Sequence, residues 1–120
     1  MLKTIPEILA EARVNVRFVT AELAATEIAS NGGVVIDVRE PAEIEGQADI
    51  NSLNIPRGML EMKAFSAFPD CNKYIYLHCA TGARATFAAE QLQRMGYTQV
   101  SVVGCELANI RKAIADLPNS

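Results

Sequence analysis

Long apolar runs are missing from this sequence. No stretch of its 120 residues is long enough to span a bilayer, and Glu7 and Glu11 interrupt the amino-terminal region where a secretion signal would need a continuous apolar segment. Excess positive charge is missing too. Eleven Lys and Arg against 14 Asp and Glu leave a net charge of −3, so no basic field exists to gather nucleic acid or acidic lipid. Any anion the protein handles has to be held by local dipoles and a few arginines. Cysteine is scarce and odd in number: Cys71, Cys79 and Cys105 include no Cys-x-x-Cys pair, which argues against a disulfide framework or a paired-thiolate metal site. Free thiols in a reducing cytoplasm, with no membrane and no nucleic-acid partner, are the expectation. Histidine occurs once, at His78.

What is present reads as one globular unit. Half the residues are hydrophobic and 21% are charged, proportions of a folded domain and not of a disordered chain. With no repeat, low-complexity tract or linker, residues 1–120 form a single domain, residues 1–15 being an amino-terminal helical extension. Ile5, Ile8, Leu9 and Ala12 recur at helical spacing, with Pro6 acceptable in the opening turn. Residues 15–19 alternate as an edge strand would. Thr20 caps a second helix that buries Leu23, Ala24 and Ile28, and Asn31-Gly32-Gly33 stops it.

Residues 34–38 are a short apolar run ending near an acid, the pattern of a central parallel strand covered on both faces. A short helix over residues 41–45, closed by Gly46, a brief strand at residues 53–56, and a helical or turn-like segment over residues 59–68 follow. Residues 74–78 are the second central strand, leading through a loop into an alanine-rich helix over residues 84–95 that Gly96 closes. Residues 99–103 form another strand, and residues 106–116 a last helix. Strands alternating with helices imply an α/β fold, a mostly parallel sheet flanked by helices on both faces. Sites in such sheets lie at the carboxyl ends of strands, where both Asp37 and Cys79 fall.

The loop after the second central strand carries the chemistry. Cys79 sits where a strand gives way to a helix N-terminus, with Gly82 free to take unusual dihedrals and Arg84 adding charge. Successive amides, the helix dipole and a guanidinium together favour a thiolate, the nucleophilic form of cysteine, and suit an anion against the sulfur. A cysteine alone would be read as a small buried hydrophobe; the glycine three residues on and the arginine five residues on argue otherwise. Cysteine phosphatases place five residues between cysteine and arginine, whereas here Ala80, Thr81, Gly82 and Ala83 make four. The tighter cradle suits a single sulfur atom better than a phosphoryl group. Asp37 is expected to brace the loop or Arg84 from a neighbouring strand end, with Arg39 beside it and Glu43 pairing with Arg39 or capping a turn. His78, adjacent to Cys79 in a strand, should face the other way. Arg57, after Pro56, is a guess for the pocket mouth.

The chain resembles a single-domain rhodanese. The matching segments, in the family's order, are Val35-Ile36-Asp37-Val38-Arg39-Glu40-Pro41, Asn54-Ile55-Pro56-Arg57-Gly58, Cys79-Ala80-Thr81-Gly82-Ala83-Arg84 and Met95-Gly96-Tyr97. The resemblance implies a thiosulfate:cyanide sulfurtransferase type of activity, with Cys79 carrying a persulfide, residues 80–84 binding substrate and Asp37 and Arg39 in support. It implies no metal and no organic cofactor. Thiosulfate or a persulfide would be the donor, a thiol or cyanide the acceptor, and a partner protein in a sulfur relay fits the same picture. Three departures stand out: Ala80 replaces the basic residue usual after the cysteine, residues 46–52 lack the family's histidine and proline, and Cys105 follows Gly104 where a second glycine is usual. The competing expectations are a non-catalytic binding or signalling module on the same fold, and a cysteine-dependent phosphatase or arsenate reductase.

Overall fold

Apolar four-residue runs form the middle of the molecule. The computed structural model describes residues 1–45, 52–104 and 107–114. Strands β1 (Arg17–Val19), β2 (Val34–Asp37), β3 (Leu53–Asn54), β4 (Ile75–His78) and β5 (Val100–Val103) make one sheet in the order β1-β5-β4-β2-β3. Every pairing is parallel. Helices α1 (Ile5–Arg13), α2 (Ala21–Asn31), α3 (Leu60–Ala67), α4 (Ala83–Met95) and α5 (Leu107–Ile114) cover it.

The direction of each crossover decides the face. From β1 the chain passes over two strands to β2, then turns back from β3 to β4 and β5. Right-handed crossovers in opposite directions require opposite faces. Accordingly α3 and α4 lie together, α1 rests on α4, and α2 packs with α5 on the other side. The strands divide their side chains with period two. Val34, Ile36, Ile75, Leu77, Val100 and Val102 point to the α4 face, while Val35, Tyr76 and Val103 point to the α2 face.

Local chemistry sets the ends. Thr4 and Glu7 form a reciprocal capping box at α1, with Pro6 in its first turn. Thr20 Oγ accepts from the Leu23 amide to start α2, and Gly32, at φ 68°, ends it. The buried side of α2 is Ala21, Ala24 and Ile28. Leu23, expected there, is 43% exposed, because it falls outside the stripe that those three residues define. In α1 only Ala12 is buried, leaving Ile5 and Ile8 exposed. The expected helix over residues 59–68 opens as a 3-10 turn, Arg57–Met59, before α3. Gly46 and the ends of the last helix lie outside the described residues.

After α2, Gly33 occupies a crowded corner. A Cβ there would lie 2.8 Å from Tyr76 Cε2, 2.9 Å from Asn31 Oδ1 and 3.0 Å from the Tyr74 carbonyl oxygen. Those neighbours are fixed: Asn31 Oδ1 accepts from the Gly33 amide, and Tyr76 Oη accepts from Asn31 Nδ2 and donates to Glu27. Gly33→Ala should therefore destabilise the fold by about 1–3 kcal/mol through overpacking, read as a lower urea midpoint with an unchanged slope.

Candidate active site

Strand β4 delivers Cys79 to the carboxyl edge of the sheet, on the α4 face. Cys79 belongs to the buried cluster that also holds Leu77, Val38 and Ala85, and the residue is 2% exposed. Gly82 then takes φ 93° and ψ −15°, a left-handed geometry that residues with a Cβ rarely adopt. That turn aims the loop amides back at the sulfur: Gly82 N–H donates to Cys79 Sγ at 3.0 Å and Ala85 N–H at 3.4 Å. Thr86 anchors the turn from within α4, its hydroxyl donating to the Gly82 carbonyl at 2.7 Å and its amide at 2.9 Å. The sulfur thus lies at the N-terminus of a 13-residue helix with two amides on it, an arrangement that stabilises negative charge on sulfur.

Arg84 is not directed at Asp37. Its guanidinium makes a two-pronged ion pair with Glu43, Nη1 to Oε2 at 2.6 Å and Nη2 to Oε1 at 2.8 Å, both side chains about a third exposed. Glu43 is placed by the 3-10 turn Pro41–Glu43, where it also accepts the Glu40 amide at 2.8 Å. The Arg84 hydrogen bonds, helped by that amide, hold its carboxyl down at about 2. The expectation that Asp37 would brace Arg84 is corrected by strand alternation: Asp37 shares the α2 face with Val35, and its carboxylate goes to Arg39. Nε and Nη2 of Arg39 reach it at 2.8–3.1 Å, and the Arg39 amide bonds it at 3.0 Å. Both members of this pair are buried. Of the two expectations for Glu43, capping the turn is what the structure shows, through the Glu40 amide, while the ion pair goes to Arg84 and not to Arg39. The position of Glu43 three residues after Glu40, behind Pro41, was the available signal.

His78 lies on the Asp37 face, fully buried and away from Cys79 as expected. Its Nε2 is 3.3 Å from Ser52 Oγ, and its Nδ1 has no hydrogen-bond partner among the described residues. Burial pushes its pKa down to about 4; the Asp37 charge opposes that shift and the Arg39 charge adds to it. Arg57, guessed for the pocket mouth, is bonded to Glu61 at 2.8 Å. Cys71 is exposed at the opposite end of β4. That strand's four residues rise about 3.3 Å each, too far for Cys71 to pair with Cys79. Cys105 and residues 46–51 lie outside the described residues. Among the described residues there is no group of three His, Cys, Asp or Glu side chains placed to hold a metal, and no helix long and apolar enough to cross a membrane.

Residues 20–110 match the family described as the rhodanese-like domain. The chain belongs to that family. It is 33% identical over 69 residues to the thiosulfate sulfurtransferase PspE of Escherichia coli, a stretch covering 58% of this chain and 66% of that protein. A solved structure from Rhodopseudomonas palustris, a protein of unknown function described as a possible tyrosine phosphatase, is 29% identical with a TM-score of 0.77, covering 94% of this chain and 92% of the other. A rhodanese with anions from Escherichia coli is 30% identical with a TM-score of 0.54, covering 65% and 91%. The chain spans about half to two thirds of the length of the curated relatives it matches. Within this rhodanese-like fold, the loop of residues 79–84 and the buried Asp37–Arg39 pair occupy opposite faces of one sheet edge.

Two measurements separate support from chemistry. Asp37→Asn removes a carboxylate from a buried guanidinium and should cost about 3 kcal/mol of unfolding free energy; a loss in a urea titration below about 1 kcal/mol would show that the pair is not holding the edge. His78 is neutral in the fold and takes up a proton more readily once unfolded. Stability is therefore full above pH 6.5, the ordinary histidine value, and declines as pH falls toward 4, by about 3 kcal/mol in all. Urea midpoints from pH 7 to pH 4 should show that decline, and His78→Gln should flatten it.

Proposed function

We propose that this rhodanese-like chain is a sulfurtransferase that carries sulfur as a persulfide on Cys79. The observation that carries the reading is the pair of amide donors, Gly82 and Ala85, on the Cys79 sulfur at the start of α4. They stabilise the thiolate that attacks, and they receive it again when it leaves. Cys79 thiolate attacks the sulfane sulfur of thiosulfate or a persulfide donor. A new S–S bond forms on Cys79, and sulfite or a thiolate departs with the electrons of the bond that breaks. A thiol or cyanide then attacks the outer sulfur and regenerates the Cys79 thiolate. The loop from Ala80 to Arg84 binds the substrates in this reading, Thr81 and Ala83 contributing backbone and Arg84 a charge balanced by Glu43. Asp37 and Arg39 support the edge from the far face. Family membership and the similarity to PspE support the same activity class.

Phosphate ester hydrolysis is the second reading, because one similar structure is described as a possible tyrosine phosphatase. Four residues between Cys79 and Arg84 weigh against it, as does the engagement of the Gly82 and Ala85 amides with the sulfur itself. A phosphoryl group needs loop amides free for three oxygens.

The test is intact mass. Reduced protein incubated with thiosulfate or a persulfide donor should gain one sulfur atom, lose it to cyanide, and show ping-pong kinetics, while Cys79→Ser should gain nothing. No gain by the wild type with either donor, or turnover of an aryl phosphate instead, sinks the proposal.

A further inference from the structure

The cations around the loop are nearly all committed. Arg84 is held by Glu43, Arg57 by Glu61 and Arg39 by Asp37. Ala80 stands where the resemblance would place another cation. Arg13, the last residue of α1, is different: among the described residues it has no carboxylate partner. It lines a cleft of about 260 Å³ beside the loop, together with Phe18, Val102, Thr81, Gly82 and Thr86.

The cleft is built for a ligand of mixed character. Phe18, 43% exposed, forms an apolar floor, while Val102, its partner in register on β5, is fully buried. Thr81 is exposed on the same cleft, and Arg13 adds a positive charge to its lining; the Thr86 hydroxyl is already given to the Gly82 carbonyl. Gly82 joins this cleft to the reacting atom, because it lines the cleft while its amide bonds Cys79 Sγ at 3.0 Å. Arg13 and Phe18 both precede residues 20–110, the part that matches the family, so family membership assigns them no role.

We propose that this cleft is the acceptor subsite and that it takes a carboxylate-bearing thiol, with Arg13 binding the carboxylate and Phe18 covering the aliphatic part. The proposal rests on the sulfurtransferase reading and names the substrate class for it. A bare inorganic dianion would leave the apolar floor unmatched, and the volume lies just below the range usual for drug-sized ligands, which suits a thiol of amino-acid size. In the transfer, the acceptor's thiolate sulfur attacks the outer sulfur of the Cys79 persulfide and an S–S bond forms on the acceptor. The Cys79 S–S bond breaks with its electron pair returning to Sγ. The proton on the transferred sulfur stays with the product persulfide, so no oxidant or reductant is needed.

The experiment compares discharge of persulfide-loaded protein to mercaptopropionate and to the neutral thiol mercaptoethanol, in wild type, Arg13→Gln and Arg13→Lys. An exposed arginine–carboxylate contact predicts that Arg13→Gln raises KM for mercaptopropionate about fivefold with kcat unchanged, and Arg13→Lys recovers part of the loss. For mercaptoethanol, which offers no carboxylate, KM should move less than twofold. Equal effects on both thiols, or none on either, overturn the subsite while leaving the sulfurtransferase reading intact, since loading and cyanide release report on that separately. A wild type that takes up no sulfur overturns both.

Discussion

The hydrogen bonds from two amides to the Cys79 sulfur depend on a single backbone angle. Gly82 turns at φ 93°, and only that turn brings its own N–H and the first amides of α4 to bear on Sγ. The helix behind the turn is rigidly seated, because Ala85, Ala88, Ala89 and Leu92 are fully buried against the sheet and small side chains let a helix approach strands closely. The sulfur is therefore part of the packed core on one side and the recipient of helix-terminal amides on the other. Reactivity and packing share the same atom, which is why loop geometry here is a property of the whole α4 face and not of six residues alone.

Charge near the loop is arranged to cancel. Arg84–Glu43 is partly exposed, and the Arg84 hydrogen bonds hold its carboxyl well below the usual carboxylate range. Asp37–Arg39 is buried, and pairs of that kind fix geometry more than they add net stability. What remains to polarise the sulfur is the fixed dipole of backbone amides, which needs no counter-ion and costs no reorganisation. The net charge of −3 agrees with this economy of cations.

Much of this was legible in the sequence because the signals were local. Thr20, Gly32 and Gly96 mark helix ends through backbone angles and caps that depend on their immediate neighbours. The apolar runs at residues 34–37 and 75–78 declare strands covered on both faces. Alternation in β4 correctly turned His78 away from Cys79. The same rule, applied to β2, would have turned Asp37 away from Arg84, since Asp37 and His78 are partners in register. What the sequence could not convey was the meeting of Glu43 with Arg84, 41 residues apart, or the placing of Arg13 and Thr81 on one cleft. Such meetings depend on how far a loop folds over a sheet edge, and no local preference encodes that. The exposure of Leu23 has the same origin: helical periodicity defines a stripe, and only tertiary packing fixes its centre.

The balance of amides over free cations bears on which sulfur compounds suit such a loop. A dianion gains most where formal charges converge, and here Ala80 offers none while Arg84 is already matched by Glu43. A persulfide presents one diffuse negative charge on a polarisable atom, for which two amide donors are a sufficient partner. On the sulfurtransferase reading, the loop accordingly discriminates by charge number, while the apolar floor beside it discriminates by what the sulfur is attached to. Those are separable sources of specificity, one carried by backbone that Gly82 shapes and the other by Arg13 and Phe18, side chains from α1 and β1.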